Sequence, residues 1–258
     1  KQRRMEDTGV RINKYLSEAG VCSRREADRQ IAAGNVTIDG ITAETGARVK
    51  AGQTVCVCGK PVAKEEEMIL LAFHKPVGIV CTAEKREKNN VVDYINYPKR
   101  IYPVGRLDKD SEGLLLLTNN GDIVNKIMRA GNLHEKEYLV TVNRPVTEAF
   151  LRGLSGGVPL VELGTTTRRC FVEQTGKRQV RIVLTQGLNR QIRRMCEYFG
   201  YRVEKLVRTR IMNIELGDLK SGTYRMVTKE EYRELAKLLI NSSNETVIPS
   251  PKRMEEQK

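Results

Sequence analysis

The sequence predicts an α+β fold: a small N-terminal module of two helices and short strands, then a larger body with a mainly antiparallel, mixed β-sheet. Three observations point there. Apolar residues recur at helical spacing over residues 11–33, whereas several later stretches alternate with period two. Strands and helices in the body mix without strict β-α-β alternation, which argues against a doubly wound sheet. Glycine and proline punctuate the chain at the ends of most of these stretches.

In the module, Ile12, Leu16 and Ala19 share one helical face, and Gly20 stops that helix. Ser23-Arg24-Arg25-Glu26 reads as a capping box that starts a second helix running to about Ala33, before Gly34. Short strands follow at Val36–Ile38, Ile41–Ala43 and Val55–Val57, the first two joined by an Asp39-Gly40 turn. Lys64-Glu65-Glu66-Glu67 is a charged linker. Ile69–Phe73 reads as a buried strand that turns at Lys75-Pro76-Val77-Gly78, and residues 84–90 as a flexible loop. Gly121–Ala130 and Leu188–Phe199 read as helices, 147–154 as a short one, and Tyr138–Val142 and 179–185 as strands. The polar end with Pro249 and Pro251 reads as a disordered tail. These boundaries divide the chain at residues 9–62, 67–240 and 241–258.

Composition bounds the function. Forty-five Lys and Arg against 32 Asp and Glu give a net charge of +13, which favours a polyanionic partner: nucleic acid first, an anionic membrane surface second. No apolar run reaches the roughly 18 residues of a membrane span. The start has no apolar core after its basic residues, so no signal peptide is expected and a cytoplasmic setting is. Six scattered cysteines and two distant histidines lack zinc-ligand spacing and read as free thiols in a reducing compartment. No phosphate-binding G-x-x-x-x-G-K-[ST] loop, dinucleotide turn or nucleophile elbow occurs, so no nucleotide cofactor, metal or other cofactor is expected.

Three separated pieces carry candidate chemistry. The first is Gly105-Arg106-Leu107-Asp108-Lys109-Asp110-Ser111-Glu112-Gly113, ahead of the apolar run Leu114–Leu117. It sets a carboxylate in a short loop between strands, with an arginine two residues before it. Rigidly held loops are where catalytic groups sit, and a nearby guanidinium favours an ionised carboxylate; alone, the stretch also reads as a charged hairpin turn. The second is Glu135-Lys136-Glu137-Tyr138, where a tyrosine opens a strand and offers a ring and a hydroxyl, or simply fills the core. The third is Gly187-Leu188-Asn189-Arg190-Gln191-Ile192-Arg193-Arg194, which crowds three arginines at a helix start, against the helix dipole. Phosphate binding or pairing with a carboxylate would explain them; solvated side chains are the plain alternative. In the module, Arg24, Arg25 and Arg29, with Arg11 and Lys14 on the preceding helix, can form a phosphate-binding patch or a solvated face with Glu26 and Asp28.

Two resemblances join these pieces. Arg11–Leu16, Cys22–Ala27 and Gly34–Gly40 resemble an S4 RNA-binding domain. Arg106-Leu107-Asp108 with Ser111-x-Gly113, Lys75-Pro76-x-Gly78, Lys136-x-Tyr138 and Asn189–Met195 resemble, in order and spacing, the RNA pseudouridine synthases of the RsuA/RluB/RluE/RluF branch. The resemblance covers residue 9 to about 240. One departure is Arg190, where many relatives have histidine. It implies a catalytic domain with a central cleft and isomerisation of a uridine in 23S rRNA near the peptidyl transferase centre, with a tRNA uridine as a second substrate the family allows. It implies no cofactor, and a monomer is expected. It further implies that Asp108 is the essential group at the sugar, that Arg193 pairs with it, and that Tyr138 packs on the flipped base. Arg106 would fill the space the base leaves, Leu206 would pack near it, and Arg190 and Arg194 would contact RNA. The competing reading is a non-catalytic S4-type RNA-binding or ribosome-assembly protein.

Overall fold

The structure, a computed structural model, describes residues 9–63 and 67–242. Lys64–Glu66 of the charged linker and the tail from Ser243 onward lie outside the described residues. The chain falls into two compact units. The first takes residues up to Ile69 with Tyr97–Ile101 and Asn119–Gly121; the second takes the remainder.

In the first unit, helices Ile12–Glu18 and Arg24–Ala32 pack on each other. Their apolar stripe (Ile12, Leu16, Ala27 and Ile31) closes over Val36, Val49 and Val55. The Ser23 hydroxyl caps the second helix by accepting from Glu26 N at 3.2 Å. Only half of the expected capping box forms: the Glu26 carboxylate instead takes Gln30 Nε2 at 2.9 Å and Arg29 at 3.2 Å. A four-stranded antiparallel sheet runs in the order Ile41–Thr42, Val36–Ile38, Val55–Val57, Lys60–Val62. A two-stranded ribbon pairs Val10–Arg11 with Arg48–Val49.

The second unit is built on one mixed sheet. Its main path runs Phe171–Gly176, Gln179–Leu184, Lys136–Val142, Val203–Ile211, Glu112–Thr118, Leu70–Lys75, Tyr224–Met226. Every pairing on that path is antiparallel except one, at the centre, where Val207 and Arg208 run parallel to Glu112 and Gly113. The expected fold class, α+β with an antiparallel-dominated mixed sheet, is the one observed. Leu114 to Leu117 and Leu70 to Phe73 are buried without alternation, because both faces of these central strands are covered. Lys136–Val142 and Gln179–Leu184 alternate buried and half-buried residues.

Several elements depart from the sequence-based boundaries. The helix expected from Leu188 begins at Gln191, because Arg190 takes a left-handed conformation (φ 50°) and Gln191 Oε1 turns back to accept from Leu188 N. The helix from Gly121 ends at Met128 and tightens into a 3₁₀ turn over Ala130–Asn132. The loop expected over 84–90 ends in Asn90, whose side chain caps a short helix, Val91–Ile95, by accepting from Asp93 N at 2.8 Å. The strand Val203–Ile211 and the helix Lys229–Leu239 were not anticipated. The strand's apolar alternation is broken by Lys205, Arg208 and Arg210 and by two register shifts against Lys136–Val142. The helix carries a complete Thr228/Glu231 capping box, a signal that was legible.

Gly113 makes the parallel junction possible. It lies at φ 112°, and a Cβ there would come within 2.3 Å of the Arg208 carbonyl oxygen and 2.5 Å of its nitrogen. Neither backbone strand can move without breaking its other ladder. Gly113→Ala is therefore expected to destabilise the protein by at least about 2 kcal/mol, from left-handed strain and collision together. Urea denaturation of both proteins measures this; a loss within experimental error would show that the junction relaxes freely.

Candidate active site

The Asp108 loop lies just before the parallel junction and is held almost entirely by its backbone. Arg208 Nη1 donates to Arg106 O at 3.3 Å, Leu107 N to Cys81 Sγ at 3.3 Å, and Gly78 N to Lys109 O at 2.7 Å. Within the loop, Ser111 N closes a turn on Asp108 O at 3.0 Å. Arg193 Nη2 donates to Asp110 O at 2.9 Å and to Ser111 Oγ at 3.2 Å. Four partners from three segments thus fix one short loop. The Lys75-Pro76-Val77-Gly78 turn is itself pinned by Lys75, a fully buried ammonium that donates to Pro76 O and Ile79 O at 2.7 and 2.9 Å.

Beside the loop is a cavity of about 590 Å³. The loop, the apolar face of the Gly121–Met128 helix, the start of the Gln191–Tyr198 helix and the strands of Tyr138 and Leu206 line it. Asp108, Arg106, Tyr138, Leu206, Arg190 and Arg193 all reach this one lining from three distant parts of the sequence. Tyr138 is buried and sits opposite Arg208 across the sheet, and Leu206 opposite Val140. Asp108 is the only acidic residue of that lining, and among the described residues its carboxylate has no hydrogen-bond or ion-pair partner.

The arginine cluster binds a different carboxylate from the one expected. Arg190 grips Asp110 with two parallel hydrogen bonds of 3.0 Å, and Arg193 Nε lies 3.6 Å from the same carboxylate. The expected Arg193–Asp108 pair is replaced by this Asp110 clamp, and Asp110, to which the sequence assigned no role, anchors the loop to the helix. The reason is geometric. Asp110 lies past the turn that Ser111 N makes on Asp108 O, so its side chain meets the helix start while that of Asp108 faces the cavity. Arg190's hydrogen bonds hold the Asp110 carboxyl below the usual carboxylate range. They also stabilise the left-handed backbone of Arg190, which costs on the order of 1 kcal/mol in a non-glycine residue. Arg194 lies outside the cavity lining: it bonds Asn189 O and Oδ1 at 3.0 and 3.1 Å and pairs with Glu162.

Sequence reasoning missed three cations. Arg208 is buried and donates Nε to Leu114 O at 2.7 Å as well as Nη1 to the loop. Lys136 occupies an inward position of its strand, two residues before Tyr138, and lines the cavity with Arg129. Burial, with Arg208 nearby, brings the Lys136 ammonium down to about 8. A lysine where the alternation calls for an apolar side chain was the available signal.

The module residues are placed separately. Arg11, Arg24, Arg25 and Arg29 are exposed, and Arg29 pairs with Glu26 at 3.2 Å. Lys14 is half-buried and pairs with Glu18 at 3.5 Å. Among the described residues Arg24 and Arg25 have no ion pair.

A loop fixed through its backbone, with one uncommitted carboxylate facing a cavity walled by a tyrosine, a leucine and several cations, suits acid-base or nucleophilic chemistry on a nucleotide. The family models agree with that reading: "RNA pseudouridylate synthase" matches residues 69–198 and "S4 domain" residues 10–55. The chain belongs to the RNA pseudouridine synthases and is an enzyme of that class, acting on RNA. Among characterised relatives it is 56% identical over 241 residues to the dual-specificity RNA pseudouridine synthase RluF of Escherichia coli K12, covering 93% of this chain and 82% of that one. It is 34% identical over 241 residues to the ribosomal large subunit pseudouridine synthase B of Bacillus subtilis, covering 91% and 98%. A solved pseudouridylate synthase structure superposes with a TM-score of 0.65 at 27% identity, covering 88% of this chain and all of that one.

Lys136 has a consequence for stability that does not depend on catalysis. Its proton is released near pH 8 in the fold and near 10.5 when unfolded, so the unfolded chain binds more protons between those values. Folding stability from this group therefore rises with pH across that window, by about 3 kcal/mol at most. Below it the charged, buried amine is a burden. Lys136→Met is expected to be more stable than wild type at pH 7, with the advantage shrinking towards pH 10.5. Denaturant titrations of both proteins at pH 7, 9 and 10.5 isolate the group by difference; a pH-independent difference would show that Lys136 titrates normally.

Proposed function

We propose that this enzyme modifies uridines in both 23S rRNA and tRNA, and that Asp108 is its essential catalytic group. The observation that carries the catalytic assignment is the free carboxylate of Asp108 in the cavity, set against the committed carboxylate of Asp110. The dual substrate range rests on the similarity to RluF, a dual-specificity RNA synthase, over nearly the whole chain. The rRNA site is taken to lie near the peptidyl transferase centre, as the branch resemblance implies.

Isomerisation breaks the bond between N1 of uracil and C1′ of ribose, turns the base, joins C5 to C1′, and moves a proton from C5 to N1. No electrons or groups leave the nucleotide, so side chains alone can supply the chemistry. The uridine must first leave its stack, at a cost of a few kcal/mol. Arg106, exposed at the mouth of the cavity, fills the space it leaves, because a guanidinium plane stacks on bases. Tyr138 and Leu206 enclose the uracil, with the tyrosine hydroxyl placed to assist loss of the C5 proton. Asp108 works at the sugar, by attack at C1′ or by taking the C2′ proton; both routes use the same unpartnered carboxylate. Arg193 acts on Asp108 through the loop it clamps rather than by a direct pair. Arg190 keeps that clamp closed, and Arg194 tracks RNA outside the cavity.

Residues 9–62 serve as the RNA-binding module and 67–240 as the catalytic domain, in a cytoplasmic monomer. Arg11, Lys14, Arg24, Arg25 and Arg29 give the module affinity for phosphates without base specificity. Among the described residues no helix is long and apolar enough to cross a membrane.

Carbodiimide mapping of pseudouridine in rRNA and tRNA tests the catalytic and substrate assignments together. Cells lacking the gene should lose one modification in each RNA class. The wild-type gene should restore both and the Asp108→Asn gene neither, while the purified variant keeps RNA affinity within about tenfold of wild type. Restoration by Asp108→Asn would refute the mechanism, and loss confined to 23S rRNA would refute dual specificity. For the module, replacing Arg24 and Arg25 together by Ala should weaken RNA binding and flatten its salt dependence by up to about two in slope. An unchanged slope in fluorescence anisotropy titrations would remove these two residues from the interface.

A further inference from the structure

The cavity wall carries positive charge that nothing in the protein balances. In the strand Lys136–Val142 the inward positions are Lys136, Tyr138, Val140 and Val142. Lys136 thus sits where an apolar side chain would pack, yet among the described residues its ammonium has neither a hydrogen bond nor an acidic partner. The side chain is largely buried and opens only on the cavity, where an ammonium without a counterion is disfavoured. Arg208, close enough to raise that cost, spends its hydrogen bonds on the carbonyls of Leu114 and Arg106, and its Nη2 is buried without a partner. Arg129, half-buried just past the Gly121–Met128 helix, also has no ion pair among the described residues, and its Nε is buried without a partner. All three line the cavity that holds Asp108. The other arginines of the lining differ: Arg190 and Arg193 share the Asp110 carboxylate as an ion-pair partner, and Arg106 is exposed.

Like charges kept together in a low-dielectric wall call for an anion, and the only one a nucleotide substrate brings is its phosphodiester. Uracil is neutral: its two carbonyls could each accept a hydrogen bond but would leave the charges uncompensated. We propose that Lys136, backed by Arg208 and joined by Arg129, is a subsite for a phosphodiester flanking the flipped uridine. This deepens the assignment of the cavity and rests on Asp108 marking the position of the ribose. With one phosphate held at Lys136 and the sugar at Asp108, the subsite orients the nucleotide while the base turns.

The test uses a synthetic RNA hairpin containing the uridine identified by the mapping above, with one neutral methylphosphonate at the 5′ or the 3′ phosphate of that uridine. Wild-type enzyme should lose at least about tenfold in kcat/KM on one of the two modified hairpins. Lys136→Met should lose a comparable factor on the unmodified hairpin and be impaired no further by that methylphosphonate. Lys136→Arg should recover most of the loss and regain sensitivity to the neutral linkage. Multiplicative penalties, or a Lys136→Met enzyme as active as wild type, would overturn the subsite. The binding penalty of the same methylphosphonate should persist in Asp108→Asn, which separates the two assignments. An active Asp108→Asn refutes the catalytic reading, whereas an inactive one that ignores the methylphosphonate refutes only the subsite.

Discussion

The structure turns on the close approach of two strands that are nearly a hundred residues apart in sequence. Glu112-Gly113 and Val207-Arg208 form the only parallel pairing on the sheet's main path, and the missing side chain of Gly113 lets the Arg208 backbone come that near. Everything catalytic is referred to this point. It places the Arg208 guanidinium under the Asp108 loop, where it bonds two loop-side carbonyls at once. It also places Tyr138, the cross-strand neighbour of Arg208, at the wall of the same cavity. A parallel pair needs a long connection between its strands. Here that connection contains both the Tyr138 strand and the arginine helix, so closing the junction brings all three pieces together.

The loop shows how rigidity can be provided without committing the Asp108 carboxylate proposed to react. Loops are normally the mobile part of a protein. This one has its carbonyls and amides taken by Arg208, Cys81, Gly78 and Arg193, none of which touches the Asp108 carboxylate. The cost of ordering the side chain for reaction is thereby lowered before substrate arrives, which is the sense in which a site is preorganised. A direct Arg193–Asp108 pair in the free enzyme would have to be loosened before Asp108 could reach a sugar.

Most of the fold was legible because its signals are local. Helical spacing with glycine stops gave the two module helices, and Leu114–Leu117 announced a strand covered on both faces. The strand Val203–Ile211 was not legible, since basic residues at buried, half-buried and exposed positions alike and two register shifts erase its periodicity. Within the site, Asp108, Tyr138 and the arginine cluster stood out as residue types that local structure alone did not explain. The pairing among them did not, because Asp108 and Asp110 are equivalent in sequence terms and differ only in where a single turn points them. Lys136 was the opposite case. Its misfit at an inward position could be seen in the sequence, but its meaning depends on the buried guanidinium of Arg208, which has no acidic partner among the described residues and which only the sheet register places nearby.

The two carboxylates of the loop therefore divide two demands that one could not meet. A group that anchors a loop must be saturated with partners, as Asp110 is by Arg190 and Arg193. The proposed reacting group, Asp108, has no such clamp on its carboxylate. The same division applies to the cations. Arg190 and Arg193 have an ion-pair partner in Asp110, whereas Lys136, Arg208 and Arg129 have none among the described residues. An unbalanced charge in a largely buried position costs folding stability that a bound anion can return, so the proposed subsite at Lys136 exchanges stability for affinity towards RNA. Neither the Asp108 carboxylate nor the Lys136 ammonium is held by an ion pair among the described residues, so both are free to meet a nucleotide in the cavity they line.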